Sequence, residues 1–201
     1  MSRKLHEQFV GISRDISSRL AEAIRGIGPV RLTKRNDRPL RETLCRMVAG
    51  QQLSTKAAST IWGRVVDSAN GNDLVGHLAA AEPSLLRTCG LSNAKCKATK
   101  AIVAASADGL LNVSDLQKKT HADRSKHLTS IWGIGQWTAD MVSIFYFGDK
   151  DVWPEGDVAV CKTLERLTDK RRKTIRTAAR FAPHRSYLAM YMYRIADTKP
   201  Q

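Results

Sequence analysis

One carboxylate in this chain has surroundings that suit chemistry. Asp157 directly follows Gly156, after the Pro154 segment, and it opens an apolar helical pattern. An ionised carboxylate at that point can stabilise a developing cation or take a proton from an attacking water. An aspartate at a helix start can equally be an ordinary N-cap, which contributes about 1 kcal/mol of stability. The residues alone leave both interpretations open.

A glycine-rich turn is the second feature with chemical potential. Gly133 and Gly135 lie one residue apart, between two helical patterns in residues 128–139. Glycine permits a positive φ and lets another backbone come close. The N–H groups of Gly135, Gln136 and Trp137 then lie at a helix N-terminus, which favours phosphate. An ordinary turn between two helices that binds nothing fits the same pattern.

The charge balance favours a polyanionic partner. The 201 residues include 33 Lys and Arg against 19 Asp and Glu, a net charge of +14. Such a surface attracts phosphates, although ribosomal and membrane-surface proteins share the property. No apolar run approaches the roughly 20 residues that span a bilayer, and the N-terminus lacks the apolar stretch of a secretory signal. We therefore expect a globular protein of the cell interior.

Several kinds of site are disfavoured by spacing. The four cysteines are scattered and the histidines form no pair at ligand spacing, so no metal site of side chains is expected. We expect free and mostly buried thiols instead. The chain also lacks phosphate-binding and nucleophile-elbow glycine motifs, which argues against nucleotide-driven and serine-hydrolase chemistry.

Helical periodicity dominates the chain and predicts an all-α fold. The predicted helices cover residues 5–24, 38–49, 55–66 after Ser54, a short stretch from Pro83, 94–107, 120–128, 136–146, 157–167 and 184–195. Only residues 30–32 and 151–153 have extended character. Lys95, Lys97 and Lys100 are the expected solvent-facing residues of their helix.

The domain organisation is predicted from a basic connection at residues 33–39. Residues 1–37 are expected to form an N-terminal helix and this connection, packed on the core. Residues 38–201 would form the core itself.

Four segments occur in order along the chain: residues 48–58, 128–139, 151–157, which ends in Asp157, and 182–189. Together they resemble the helix-hairpin-helix (HhH-GPD) DNA glycosylases, in which they correspond to the DNA-wedging loop, the hairpin, the Gly/Pro loop that ends in the catalytic aspartate, and the start of a helix near the end of the chain. The resemblance covers residues 38–196 and is greatest to the 3-methyladenine DNA glycosylase II branch. It implies a two-lobed helical core with the active site in the cleft between the lobes.

The resemblance implies an activity as well. Enzymes of this branch flip an alkylated purine, such as 3-methyladenine or 7-methylguanine, out of the duplex and hydrolyse its N-glycosidic bond, leaving an abasic site for base excision repair. Bifunctional relatives carry a nucleophilic lysine where this chain has Trp137, so lyase activity is not expected. The alternatives are a glycosylase for deaminated, etheno or mismatched bases and a non-catalytic DNA-binding module.

Site residues follow from the same motifs. The resemblance makes Asp157 catalytic and Arg185 a supporting residue. It places Trp137, Tyr193, Trp153 and Met141 in the base pocket, Gln51, Gln52, Leu53 and Ser54 in the wedge loop, and Gly133, Ile134, Gly135, Gln136 and Thr138 against DNA phosphates. The wedge residue itself would be Gln52 or Leu53.

The expected partner is double-stranded DNA with damaged bases, bound by a monomer with no membrane contact. The expected location is the cytoplasm or nucleoid, or the nucleus in a eukaryote. No cofactor is implied, apart from a monovalent cation that the hairpin carbonyls can hold when DNA is bound. Trp132, Met141 and His184 depart from the residues usual in the family at these positions, which leaves the range of lesions open.

Overall fold

The computed structural model describes residues 1–168 and 173–198, and the regular structure in these residues is helical throughout. The α-helices are α1 (Arg3–Arg14), α2 (Ser18–Ile27), α3 (Leu40–Gly50), α4 (Thr55–Asp67), α5 (Leu74–Ala80), α6 (Pro83–Thr88), α7 (Asn93–Ala107), α8 (Val113–Lys118), α9 (His121–Thr129), α10 (Gln136–Met141), α11 (Val158–Leu167), α12 (Thr174–Ala179) and α13 (Arg185–Asp197). A π-helical stretch, Val142–Phe147, continues α10. The all-α prediction is confirmed.

Polar residues determine where many of these helices begin. The Ser54 hydroxyl accepts a hydrogen bond from the Ala57 amide at 3.3 Å, as its predicted capping role requires. Asp73, Ser92 and Thr120 cap α5, α7 and α9 in the same way. Each cap pairs backbone N–H groups that the first helical turn leaves without a partner inside the helix.

The first predicted helix was wrong in one respect, because residues 5–24 form two helices rather than one. The chain leaves α1 at Asp15 and enters α2 after Ser17, whose backbone is extended. The break lets α1 and α2 pack against each other with their apolar faces in one core. The periodicity of the two helices is similar, so the break is not visible in the spacing of apolar residues.

Three short helices, α5, α8 and α12, were not predicted. Each has only six or seven residues, too few for a periodic apolar face to stand out. Residues 30–32 and 151–153, whose character looked extended, are irregular chain rather than strands.

The described chain groups into two compact units, which are discontinuous in sequence. The first contains residues 1–34 and 143–201, and the second contains residues 35–142. The chain passes from the first unit to the second after residue 34, three residues before the boundary that the sequence predicted. It returns to the first unit after residue 142, inside the predicted helix 136–146, where no loop marks the change.

The first unit packs its two N-terminal helices against the C-terminal ones. α2 contacts α11 and α13, and α11 packs along α13. The fully buried side chains at the centre of this core include Phe9, Leu20, Ile24, Leu188 and Tyr191. Residues from opposite ends of the chain therefore support the helices on which Asp157 and Tyr193 lie.

The second unit is organised around α3, which packs against α4, α7 and α10. Its buried residues include Leu44, Cys45, Val48 and Ile102. The predicted buried thiols are confirmed, since the four cysteines are unpaired and three are buried. Burial, followed in size by the charge of Glu42, raises the pKa of Cys45 to about 12. Among the described residues, no helix has the length and apolar character needed to cross a bilayer.

Candidate functional site

Asp157 lies at the start of α11 with both carboxylate oxygens engaged. Oδ1 accepts a hydrogen bond from the Val160 amide at 3.0 Å, and Oδ2 accepts one from the Tyr193 hydroxyl at 2.7 Å. Its exposed fraction is 7%. Asp157 is thus the N-cap that the sequence allowed, and it is also a shielded carboxylate fixed in direction by a tyrosine from α13. Capping alone requires neither the burial of the carboxylate nor its hydrogen bond from Tyr193.

The loop that leads to Asp157 is braced by Glu155. Its carboxylate accepts a hydrogen bond from the Trp153 ring N–H at 2.6 Å and one from the Thr174 hydroxyl at 2.9 Å. The Asp157 amide closes the turn by donating to the Pro154 carbonyl at 2.9 Å. These bonds hold residues 153–157 in one conformation, so the position of the Asp157 carboxylate does not depend on the capping bond alone.

The start of α13 fastens the beginning of the same loop. The Arg185 guanidinium donates to Asp151 from Nε at 2.7 Å and from Nη2 at 3.0 Å. The hydrogen bonds from Arg185 lower the pKa of the Asp151 carboxyl. Ser186 donates through its hydroxyl to the Asp149 carbonyl at 2.7 Å and accepts from the Val152 amide at 2.9 Å. Arg185 therefore has the geometry of a residue that supports the catalytic loop.

In the second unit, the hairpin turn joins α9 to α10. Gly133 has a φ of +88°, and a Cβ atom at this position would collide with Ala98 on α7. Gly133 therefore satisfies both reasons for a glycine, a positive φ and a close approach. Ile131 and Ile134 are buried and hold the turn from inside. Gly135, with nothing near its missing Cβ, forms the N-cap of α10.

The residues predicted to contact phosphates are not equally accessible. Gly133, Gly135 and Gln136 are exposed, whereas the Ile134 and Thr138 side chains are buried. Thr138, with an exposed fraction of 1%, uses its hydroxyl to accept a hydrogen bond from Gln51. Ile134 and Thr138 are buried as whole residues, so contact of either with a phosphate stays a prediction.

The wedge loop, residues 51–54, is tied to the hairpin at one end. Gln51 donates from Nε2 to the Thr138 hydroxyl at 3.2 Å and to the Gly133 carbonyl at 3.4 Å. Ser54 caps α4, as described above. Gln52 and Leu53 are the exposed members between them, and Leu53 has an exposed fraction of 39%. The structure thus separates two residues whose side chains are hydrogen-bonded, Gln51 and Ser54, from two exposed residues for which entry into DNA stays a prediction.

The four predicted pocket residues occur in both units. Tyr193 and Trp153 belong to the first, and Tyr193 contacts Asp157 as described. Trp153 is buried in the core and its ring N–H is used by Glu155. Trp137 and Met141 belong to the second unit, Trp137 exposed and Met141 buried. Stacking of a base on any of them stays a prediction.

Two aromatic residues were missed. Phe145 lies with its ring 6.4 Å from that of Tyr193, centroid to centroid. Its position one helical turn after Met141 was the available signal. Trp132 was noted in the sequence only because it differs from the residue usual in the family at this position. It is an exposed hairpin residue, with the Lys97 ammonium 4.5 Å from the centroid of its ring. At that distance the ammonium is attracted to the face of the ring.

Comparison with known proteins decides the family. No family model matches the chain. DNA-3-methyladenine glycosylase 1 of Schizosaccharomyces pombe is 31% identical over 171 residues, which cover 79% of this chain and 75% of that protein. This protein belongs to the DNA-3-methyladenine glycosylase family. A second S. pombe relative, an alkylbase DNA glycosidase-like protein, is 23% identical over 90% of this chain and 89% of its own length.

Solved structures of 3-methyladenine glycosylases share the fold. A DNA-3-methyladenine glycosidase from Bacillus halodurans superposes with a TM-score of 0.80 and 29% identity, over 96% of this chain and 89% of its own. The S. pombe 3-methyladenine DNA glycosylase in complex with abasic DNA superposes with a TM-score of 0.79 and 24% identity, over 95% of both chains. The predicted family resemblance is confirmed.

Among the described residues of this DNA-3-methyladenine glycosylase family member, no three His, Cys, Asp or Glu side chains are grouped so that they could hold a metal ion. The donors to the Asp157 carboxylate include the Tyr193 hydroxyl and the Val160 amide. A shielded carboxylate that is fixed by donors can stabilise a cation and orient water in the way glycoside hydrolysis needs.

Proposed function

We propose that this protein is a monofunctional DNA glycosylase that excises alkylated purines, of the 3-methyladenine and 7-methylguanine type, from double-stranded DNA. The observation that carries the proposal is the carboxylate of Asp157, shielded from solvent and oriented by Tyr193. The family relationship and the net charge of +14 support DNA as the substrate. The product is an abasic site, the starting point of base excision repair.

The reaction is a hydrolysis at C1′ of the flipped nucleotide. The N-glycosidic bond breaks with its electron pair moving to the base, which leaves an oxocarbenium-like sugar. Asp157 stabilises that cation, and the attacking water transfers a proton to the carboxylate as its oxygen joins C1′. Burial strengthens this electrostatic effect because little water screens it.

The hydrogen bond from Tyr193 gives the carboxylate its direction. With Oδ1 held by the Val160 amide and Oδ2 by the Tyr193 hydroxyl, the group cannot rotate away from the sugar. A preorganised group needs no reorientation when charge develops, which is the source of the catalytic benefit.

An alkylated purine suits a site with one such carboxylate. Methylation at a ring nitrogen places a positive charge on the base, and the departing electron pair neutralises it. The leaving group then needs little help from a general acid. The two other carboxylates considered as an acid have other partners, since Glu155 braces the loop and Asp140 bonds His121 and Gln136.

Trp137 excludes a Schiff base at the position where bifunctional relatives carry lysine. Without an amine there, the sugar is not captured covalently and the strand is not cut. The hairpin would hold phosphates through its exposed backbone and, with DNA bound, a monovalent cation through its carbonyls. We further propose that the protein acts as a monomer in the cytoplasm or nucleoid, or in the nucleus of a eukaryote, where its DNA substrate lies.

Release of free base from methylated duplex DNA by the purified protein is the test. We expect 3-methyladenine and 7-methylguanine to appear, with the strand cut only after alkaline treatment of the abasic site. Duplex binding without base release would favour the DNA-binding module. Strand cutting without alkali, together with a covalent protein–DNA adduct when borohydride reduces the Schiff base, would contradict the monofunctional mechanism.

A further inference from the structure

The wedge loop contains a turn that glutamine does not normally adopt. Gln51 has φ −53° and ψ 136°, and Gln52 has a φ of +58°. The Leu53 amide donates to the Gly50 carbonyl at 3.2 Å, which closes the turn. These are the features of a type II turn, whose third residue is ordinarily glycine or asparagine because of its positive φ.

The alternative for the same four residues is a type I turn. The two types differ by a flip of the central peptide, here the bond between Gln51 and Gln52. In type I the Gln51 carbonyl points the other way and Gln52 takes a negative φ, which removes the backbone cost. A contact that depends on the direction of the Gln51 carbonyl therefore selects one turn over the other.

Lys95, on α7, makes that contact. Its ammonium donates to the Gln51 carbonyl at 2.8 Å and to the Ala49 carbonyl at 2.9 Å. The expectation that Lys95 faces solvent was therefore wrong, since the spacing of charges on α7 does not reveal carbonyls presented by another helix. Partial burial of the ammonium lowers the pKa of Lys95.

The surroundings of these carbonyls also favour a cation. Ala49 lies in the last turn of α3, where carbonyls lack partners inside the helix and the helix dipole is negative. The Gln51 side chain is fastened to the hairpin, so the second residue of the turn cannot move to follow a displaced lysine. Lys95 therefore holds the Gln51 carbonyl, and the hairpin holds the Gln51 side chain.

We propose that Lys95 is a positioning residue that holds the wedge loop in its type II turn and so directs Gln52 and Leu53 toward DNA. The inference rests on the proposed function, because the loop is a wedge only if the protein flips bases. Lys95 then acts on the flipping of the base rather than on the cleavage of its bond. Strained backbone persists where its surroundings over-determine it, and Lys95 supplies that constraint.

The test compares Lys95→Met with Lys100→Met. Lys100 lies on the same helix and donates to the Ala79 carbonyl at the end of α5, so its variant loses the same charge and the same kind of contact away from the wedge loop. Single-turnover release of 7-methylguanine is measured opposite cytosine and opposite thymine. Flipping costs less in the mismatch, so a wedge defect is smaller there.

We expect Lys95→Met to lose about tenfold in rate opposite cytosine and much less opposite thymine, as fits the loss of a hydrogen bond from a charged donor. Lys100→Met should change both rates by the same small factor. Equal losses of Lys95→Met on both duplexes, or the same paired-to-mismatched ratio in Lys100→Met, would overturn the proposal.

Solution NMR of the loop separates this inference from the proposed function. In the wild type, type II geometry predicts a strong nuclear Overhauser effect between Gln51 Hα and the Gln52 amide, which weakens in Lys95→Met. If the wild type releases no base, the proposed function fails while this signal still decides the turn. If Lys95→Met does not fold, the wild type alone decides. The proposal is refuted if the wild type shows no such signal, or if its Lys95 ammonium is not protected from exchange with solvent.

Discussion

The catalytic loop and the hairpin with its wedge loop are held in opposite ways. In the catalytic loop, the functional side chain itself is buried and bonded, since Asp157 has a donor on each oxygen. In the wedge loop, Gln52 and Leu53 are exposed. The hydrogen bonds from Lys95 that hold the loop are accepted by backbone carbonyls of the preceding residues Ala49 and Gln51.

The difference fits the task that the proposed function gives to each region. A carboxylate that stabilises a cation gains from exclusion of water and from a fixed direction. A residue that enters DNA has to be exposed until DNA arrives, so only its backbone can be organised in advance. Variants that remove one fixing contact from each region, each with a matched control, test this distinction.

The largest effect on stability is expected at the hairpin, for Gly133→Ala. The new Cβ collides with Ala98 and the residue keeps a positive φ, so the free energy of unfolding should fall by about 2–4 kcal/mol. Gly135→Ala is the control, because its surroundings are open and its φ is −93°. Its loss should stay within about 1 kcal/mol. Urea denaturation measures both, and equal losses would show that the hairpin does not depend on its contact with α7.

A smaller effect is expected for Arg185→Gln, which removes the paired hydrogen bonds to Asp151. We expect a loss of about 1–3 kcal/mol at neutral pH, since both partners are part-buried. In the wild type, the folded-state pKa of Asp151 lies below its ordinary value of 3.8, so this stability is present above that value and is lost as the pH falls below it.

Urea denaturation across the acid range tests the second half of that prediction. The difference in stability between the wild type and Arg185→Gln should narrow as the pH drops below 3.8. A difference that stays constant through this range would show that the charge of Asp151 contributes nothing to the loop.

The smallest effect on stability is expected for Tyr193→Phe, about 1 kcal/mol for one hydrogen bond. The rate of base release should nevertheless fall by roughly tenfold, because the carboxylate loses its orienting donor. Tyr191→Phe is the matched control on the same helix. The Tyr191 hydroxyl is hydrogen-bonded to His6, so removal of this hydroxyl should lower stability and leave the rate of base release unchanged. A Tyr193→Phe enzyme with the wild-type rate would remove Tyr193 from the site.

Local features of this protein were predictable where a single residue type determines the geometry. Ser54, the Glu82-Pro83 start of α6 and Asp157 each mark a helix start through a cap or a fixed φ. Gly133 was predictable as the turn residue, because no other residue type tolerates both its φ and its contact. Sequence motifs of this kind are local, and so they survive without knowledge of the fold.

Contacts between distant parts of the chain were not predictable. Lys95 appeared to be a solvent-facing charge and instead caps the end of α3. The hydrogen bond between Tyr193 and Asp157 joins two helices that are far apart in sequence, and the periodicity of α13 predicts only that one of its faces is buried. The change from the α-helix of α10 to the π-helix at Val142–Phe147 likewise has no local signature.

Asp157→Asn tests the central claim most directly. Asparagine keeps the size and can still accept the capping bond, but it cannot carry the negative charge that stabilises the sugar cation. We predict that release of 7-methylguanine falls by at least about a thousandfold, the order typical for loss of an electrostatic catalytic group, while binding to abasic-site DNA is retained. Base release at the wild-type rate by a folded, DNA-binding Asp157→Asn variant would contradict the proposed mechanism.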